Sequence, residues 1–260
     1  MASKPILVFV PGAFHRPSSW NAVTEPLRKE GYTVLTPALT VCRDLHSATA
    51  ESAEWKDLAA KGVPEDAQAI RDVLLPELDK GNTAILVSHS YGSIPASFVV
   101  QDQTVAERAA RGLPGGIVSF VAVAGVAYPV RGKGIMGDDS EPPILPYHIL
   151  DNGILHLQKD CVPLWYSDLT PEAQEAAWAD LIKTQSRQSF LLFPDFLASD
   201  IKIPKTWVLT EEDQAVLPQY QAAFIQAGQF ENVIKIKSGH VPMLNMPEKI
   251  VEIIRQVASA

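Results

Sequence analysis

The sequence predicts an α/β fold: a mainly parallel sheet covered by helices on both faces, with a helical insertion at residues 126–203. Three observations predict it. Short, wholly apolar runs such as Ile6–Val10, Ala84–Val87 and Ile117–Val123 read as buried strands. Segments with apolar residues at helical spacing alternate with them, as a parallel sheet requires. From about residue 126 to 203 the strand-like runs vanish, and then they resume. One domain therefore spans residues 1–260, with the insertion inside it.

Taken in order, Ile6–Val10 is a strand and Pro11-Gly12-Ala13-Phe14-His15 a loop. A helix follows from about Trp20 to Glu30, with Ser18 or Ser19 as cap and Gly31 as terminator. Thr33–Thr36 is the next short strand. Residues 38–62 are polar and irregular, a surface excursion with about one helical turn. Pro64 suits a first helical position, Ala67, Ile70, Val73 and Leu74 form an apolar stripe, and Pro76 kinks or ends that helix. After the central strand, Ile94, Phe98 and Val99 make a helical face, and Gly115-Gly116 opens the strand that ends at Val123.

The insertion carries Leu145, Tyr147, Ile149, Leu155, Leu164, Trp165, Tyr166, Trp178, Phe190, Phe193 and Phe196. Within it Thr170 caps a helix from Pro171 to about Lys183. Strand Thr206–Leu209, a helix near Pro218–Ala227, strand Val233–Ile236 and a helix from about Pro247 to Val257 complete the chain.

Composition narrows the function. Hydrophobic content of 47%, charged content of 20% and a net charge of −8 describe a globular chain without the basic face that nucleic acid demands. No apolar run reaches bilayer length, the N-terminal run is too short for a signal-peptide core, and the C-terminus carries no targeting signal. Cys42 and Cys161 are far apart, read as reduced thiols of a cytoplasmic protein, and suit no metal site. The expected partner is a small-molecule substrate, with no nucleic acid, membrane, metal or cofactor; a homodimer is compatible with the sequence but not indicated by it.

The chemistry centres on Ala84–Gly92, A-I-L-V-S-H-S-Y-G, an apolar strand running into S-x-S-x-G and then a helical segment. That is the context of a nucleophile elbow, where a serine, here Ser90, sits on a sharp strand-to-helix turn. Ser88 stands where the usual first glycine would be and is small enough for the turn. A serine nucleophile needs a base and a group to orient it. His240 follows the last strand, and Glu211, Glu212 and Asp213 follow the strand before it. All lie at strand C-terminal ends, where open α/β sheets place their sites. The oxyanion donors expected are the backbone N–H groups of Tyr91 and, in the loop after the first strand, Ala13. Phe14, His15, Trp165 and Tyr166 are expected to line the substrate site. His89 is expected to pack structurally, and His46, His148 and His156 carry no signal.

With V-P-G-A-F-H at residues 10–15, S-H-S-Y-G at 88–92, L-T-E-E-D-Q-A-V-L-P at 209–218 and S-G-H-V-P-M-L-N-M-P at 238–247, the chain resembles the α/β-hydrolase superfamily. The similarity is to the branch of plant methylesterases, hydroxynitrile lyases and related small microbial and fungal hydrolases. It covers nearly the whole chain, including the segment Trp165–Gln185. The resemblance implies an α/β-hydrolase fold with a helical lid, Asp213 as the acid, and hydrolysis of an ester, lactone or thioester through an acyl-Ser90 intermediate. Pro11 departs from the V-H-G-A-W-H pattern of that branch, and Ser88 from its glycine. Its hydroxynitrile lyases carry a lysine after the histidine and a threonine in the oxyanion loop, whereas this chain has Val241 and Gly12. That counts against cyanohydrin cleavage. Other lyase or cyclase chemistry and a non-catalytic ligand-binding role are the alternatives.

Overall fold

The structure, a computed structural model, describes residues 4–259. Residues 1–3 and 260, part of the termini read above for targeting signals, lie outside them. The chain runs β1 (Ile6–Val10), α1 (Asn21–Lys29), β2 (Val34–Leu35), α2 (Ala53–Ala60), α3 (Val63–Leu78), β3 (Thr83–His89), α4 (Ser93–Val100), α5 (Val105–Ala110) and β4 (Gly116–Val123). The insertion adds β5 (His148–Asp151), β6 (Ile154–Leu157), α6 (Val162–Trp165), α7 (Pro171–Asp180) and β7 (Thr184–Ser186). β8 (Lys205–Thr210), α8 (Pro218–Gly228), β9 (Asn232–Ile236), α9 (Pro242–Asn245) and α10 (Pro247–Ser259) close the chain.

Six strands form one sheet in the order β2-β1-β3-β4-β8-β9, every pair parallel. Alternation along the strands divides the core. Leu7, Phe9, Ile85 and Val87 face Val23 and Leu27 of α1 and Ile250, Ile253 and Ile254 of α10. Val8, Val10, Ala84 and Leu86 face Ile70 and Leu74 of α3 and Ile94 and Val99 of α4. Both faces of the central strands β1, β3, β4 and β8 are thus dry, which is why these strands read as continuous apolar runs rather than alternating ones.

Four sequence expectations need correction. Residues 38–62 hold α2, two turns long, because Trp55 and Leu58 bury against Ile154 of the insertion and Ser52 Oγ caps the helix by accepting the Trp55 N–H at 3.3 Å. Pro76 does not end α3 early: it lies in the last turn, and the carbonyl its ring leaves without a donor belongs to exposed Asp72. Neither Ser18 nor Ser19 caps α1; Ser18 Oγ donates to Asp180 Oδ2 at 2.8 Å instead. Strand pattern does not vanish from the insertion, where β5, β6 and β7 form a three-stranded antiparallel sheet.

The apolar residues of the insertion join the main core rather than forming a second one. Tyr147, Leu155, Trp165 and Tyr166 pack with the α1–α10 side, and Ile182, Leu197 and Ile201 with the α3–α4 side. Ile149 and Phe193, grouped with them from the sequence, are about half exposed. Among the described residues no helix is long and apolar enough to cross a membrane.

Candidate active site

Ser90 stands where β3 gives way to the helical turn before α4, with φ at +49°. For a non-glycine residue that conformation costs roughly 1–2 kcal/mol, and it persists only where the surroundings enforce it. They enforce it here through two close approaches. A Cβ on Gly92 would lie 2.2 Å from the Pro11 carbonyl oxygen, and one on Gly12 would lie 2.6 Å from His89 Nδ1. Ser88 needs no such room: its buried hydroxyl lies 3.1 Å from Ser93 Oγ and 3.2 Å from the Val121 carbonyl.

His240 Nε2 lies 3.0 Å from Ser90 Oγ, and His240 Nδ1 lies 2.8 Å from Asp213 Oδ2. A carboxylate only accepts, so the imidazole proton sits on Nδ1 and the Nε2 lone pair faces the Ser90 hydroxyl. Asp213 Oδ2 also accepts from Thr210 Oγ1 at 2.9 Å and Gln221 Nε2 at 3.0 Å. Asp213 Oδ1 accepts the Ala215 and Val216 N–H groups, both at 2.8 Å. Burial pushes this carboxyl up, but the His240 charge, its hydrogen bond and the two backbone donors outweigh burial and hold it below its usual range. Glu211 and Glu212 point to solvent, while Asp213 is buried.

His89 donates from Nε2 to the His240 carbonyl at 2.8 Å, and so supports the loop that carries His240. Burial, then the neighbouring His240 and His15, drive its pKa well down. Asp168, in the insertion, grips the same loop: its Oδ2 accepts from Gly239 N at 2.6 Å, Asn245 Nδ2 at 2.8 Å and Ser238 Oγ at 3.0 Å.

The loop after β1 is a tight turn in which the His15 N–H donates to the Gly12 carbonyl at 3.2 Å and Phe14 adopts φ +61°. The Ala13 N–H has no protein acceptor among the described residues. His15 Nδ1–H donates to the Ala13 carbonyl at 2.8 Å, which leaves Nε2 to accept from Tyr166 OH at 3.1 Å. Burial lowers the His15 pKa to about 4, so the ring is neutral near pH 7. It stacks on Trp165 at 5.7 Å, and Phe14 meets Trp165 at 6.0 Å. Phe14, His15, Trp165 and Tyr166 therefore form one aromatic wall, with Trp165 6.5 Å from the His240 ring. Tyr91, the residue after Ser90, donates its hydroxyl to buried Asp66 Oδ2 at 2.9 Å. Asp66 Oδ1 accepts from Thr40 N at 2.6 Å, Thr40 Oγ1 at 2.9 Å and Val41 N at 3.1 Å. Burial pushes the Asp66 carboxyl up to about 6 against those hydrogen bonds.

Sequence reasoning missed Thr210, Gln221, Asp66 and Asp168, which orient the residues it did single out. Thr210 ends β8 three residues before its partner Asp213, but nothing in the sequence turns its hydroxyl inward, and the partners of Asp168 lie some 70 positions along the chain. Only Asp66, a carboxylate on the buried stripe of a helix, carries a signal of its own.

A parallel sheet of this order, with its site at the strand ends, places the chain among the α/β hydrolases. The model of the Alpha/beta hydrolase family matches residues 7–253, and the chain belongs to that family. It is similar to the alpha/beta hydrolase nvfD of Aspergillus novofumigatus, at 26% identity over 98% of this chain and 97% of that protein. Among solved structures, a pyrethroid hydrolase from Sphingobium faniae superposes with a TM-score of 0.74 at 18% identity, covering 99% of this chain and 98% of that one. Polyneuridine aldehyde esterase superposes at 0.73 with 14% identity, covering 98% and 100%. These two likenesses concern the fold.

The buried histidines make stability depend on pH. His15 and His148 titrate near pH 4 in the folded protein, and His89 is also held low, all mainly by burial. The unfolded chain takes up these protons below about pH 6.5. Their contribution is therefore full above that pH and lost as pH falls towards about 4, on the order of 3 kcal/mol for His15. Asp66, raised to about 6, acts oppositely: it favours the folded state more as pH falls. Urea unfolding should show lower stability at pH 4.5 than at pH 7, with a steeper loss in Asp66→Asn. A gain in stability on acidification would contradict the neutral burial of three imidazoles.

Proposed function

We propose that this protein is a serine hydrolase that cleaves an ester, lactone or thioester of a small, mostly apolar molecule through an acyl-Ser90 intermediate. The observation that carries the reading is the unbroken hydrogen-bonded run from Ser90 Oγ through both nitrogens of His240 to Asp213. Ser90 Oγ attacks the carbonyl carbon while His240 Nε2 takes its proton. Asp213 holds the imidazolium so formed. The Ala13 and Tyr91 N–H groups meet the negative charge on the former carbonyl oxygen. Collapse breaks the bond to the leaving alkoxide or thiolate, which takes the proton from His240. Water then repeats the sequence on the acyl-enzyme and releases the acid. No cofactor enters this scheme.

Residues 126–203 act as a lid in this reading. Ser90 is only 9% exposed, so in this reading substrate reaches it when the lid moves. Beside His15 and Tyr166 a groove of about 310 Å³, which Ser90 does not line, has Leu169, Ala177 and Leu244 in its walls together with Arg16 and Asp180. The aromatic wall of Phe14, Trp165 and Tyr166 beside His240 supports an uncharged, mostly apolar molecule over a peptide or sugar. Similarity to a fungal alpha/beta hydrolase, and to folds whose names include an esterase, supports ester cleavage.

The test is kinetic, on a panel of uncharged acyl esters of graded chain length. Ser90→Ala and His240→Ala should each lower kcat by on the order of 10⁴–10⁶, and the double variant little further, because the groups act as a unit. Asp213→Asn should lower it by about 10⁴. The Ala215 and Val216 N–H groups cannot reverse, so they keep the amide oxygen at the Oδ1 position and turn its NH₂ towards His240. The imidazole proton then moves to Nε2, where it blocks proton transfer from Ser90. Ser88→Ala should be nearly silent. Wild-type turnover in Ser90→Ala, or turnover of charged or polymeric substrates alone, would refute the proposal.

A further inference from the structure

We infer that Gln185, in the insertion, is a positioning residue for the oxyanion turn, acting by holding the Phe14 peptide and so aiming the Ala13 N–H. The inference rests on the proposed role of Ala13 as an oxyanion donor. Gln185 is fully buried on β7, and its Oε1 accepts the Phe14 N–H at 3.0 Å and the Cys42 Sγ–H at 3.1 Å. Its Nε2 donates to Ser189 Oγ at 2.9 Å, and Ser189 Oγ donates onward to the Ser186 carbonyl at 2.7 Å. The amide can face only one way. A backbone N–H must meet an oxygen, and a hydroxyl already donating elsewhere must meet an N–H.

The turn needs such a clamp. Phe14 sits at φ +61°, a region bulky residues avoid unless the surroundings leave no alternative. Three successive peptide units are accounted for. The Gly12–Ala13 unit has its carbonyl on the His15 N–H, so in a trans peptide the Ala13 N–H points the opposite way. The Ala13–Phe14 unit is held at both ends, its carbonyl by His15 Nδ1–H and its N–H by Gln185. The Phe14 carbonyl accepts the Ile182 N–H at 2.8 Å. Without Gln185 the middle unit loses one of its two restraints and a buried N–H is left unpaired. Once Phe14 relaxes from φ +61°, the His15 N–H that follows it leaves the Gly12 carbonyl, and the Gly12–Ala13 unit that carries the Ala13 N–H is freed to turn off line. Gln185 itself cannot drift: β7 bonds to the 41–43 segment through Arg43 N to Thr184 O at 3.3 Å and Ser186 N to Val41 O at 2.9 Å.

The test compares wild type with Gln185→Met, which keeps the volume and removes all three hydrogen bonds, and Gln185→Glu, which keeps an acceptor for Phe14. Two quantities are read: ester hydrolysis, and inhibition by an alkylboronic acid, whose tetrahedral serine adduct places an oxygen in the oxyanion site. Gln185→Met should lower kcat and weaken the boronate by about 100-fold, the cost of one oxyanion donor, with KM changed less than about threefold. Gln185→Glu should recover most of both. A folded Gln185→Met with wild-type kcat and boronate affinity overturns the inference alone. If wild type neither hydrolyses esters nor binds the boronate, the reading of Ala13 falls and this one with it. Should Gln185→Met not fold, amide exchange in wild type decides: the Phe14 N–H should exchange only on global unfolding, and exchange as fast as surface loops overturns the inference.

Discussion

The close contact between two backbone turns is the constraint on which the rest of the site depends. β1 and β3 are parallel neighbours in register, Val10 opposite Ser88, so their chains leave the sheet side by side. The turn after β1 then passes so near the turn after β3 that neither Gly12 nor Gly92 could carry a side chain without a shift. Two of the six non-glycine residues at positive φ among the described residues, Phe14 and Ser90, lie in these turns and are products of this crowding. It also explains why Ser88 can stand where a glycine is usual. The room is needed two residues after Ser90, against Pro11, and Ser88 instead packs between strand and helix with its hydroxyl satisfied.

Around that contact the molecule uses hydrogen-bonded polar groups, of which Gln221, Asp66 and Gln185 are buried and Asp168 is partly buried. Gln221 supports Asp213, Asp66 holds Tyr91, Asp168 holds the loop of His240, and Gln185 reaches Phe14. Such groups cost free energy when half-satisfied and specify one arrangement when complete. Two of the four, Asp168 and Gln185, belong to the insertion. The insertion is therefore joined to both halves of the site, which accounts for its apolar side chains merging with the two main core clusters.

Much of this was legible in the sequence, and the remainder was not for identifiable reasons. Apolar runs marked β1, β3, β4 and β8 because those strands are buried on both faces. The order of Ser90, the acidic cluster and His240 along the chain was readable because each follows such a strand. Asp213 could be preferred over Glu211 and Glu212 only by resemblance, since nothing in the sequence says which carboxylate turns inward. β7 was invisible. Thr184, Gln185 and Ser186 are all polar and all buried, so they have neither the composition nor the period of a strand. They form one because of pairing with β6 and with residues some 140 positions earlier, the Cys42–Gln185 bridge among them. α2 was underestimated for a related reason: its stripe of Trp55 and Leu58 makes sense only once Ile154 is beside it.

The central claim is that Ser90, poised on His240 and Asp213, becomes covalently acylated during turnover. Rapid-quench mass spectrometry with an ester that the enzyme hydrolyses tests it most directly. The account predicts a transient mass increase equal to the acyl group, confined to the peptide containing Ser90, appearing before steady state and absent in Ser90→Ala. Full turnover with no acyl group on that peptide at any quench time would contradict it, and would point to a reaction in which Ser90 and His240 move protons without forming a bond to substrate.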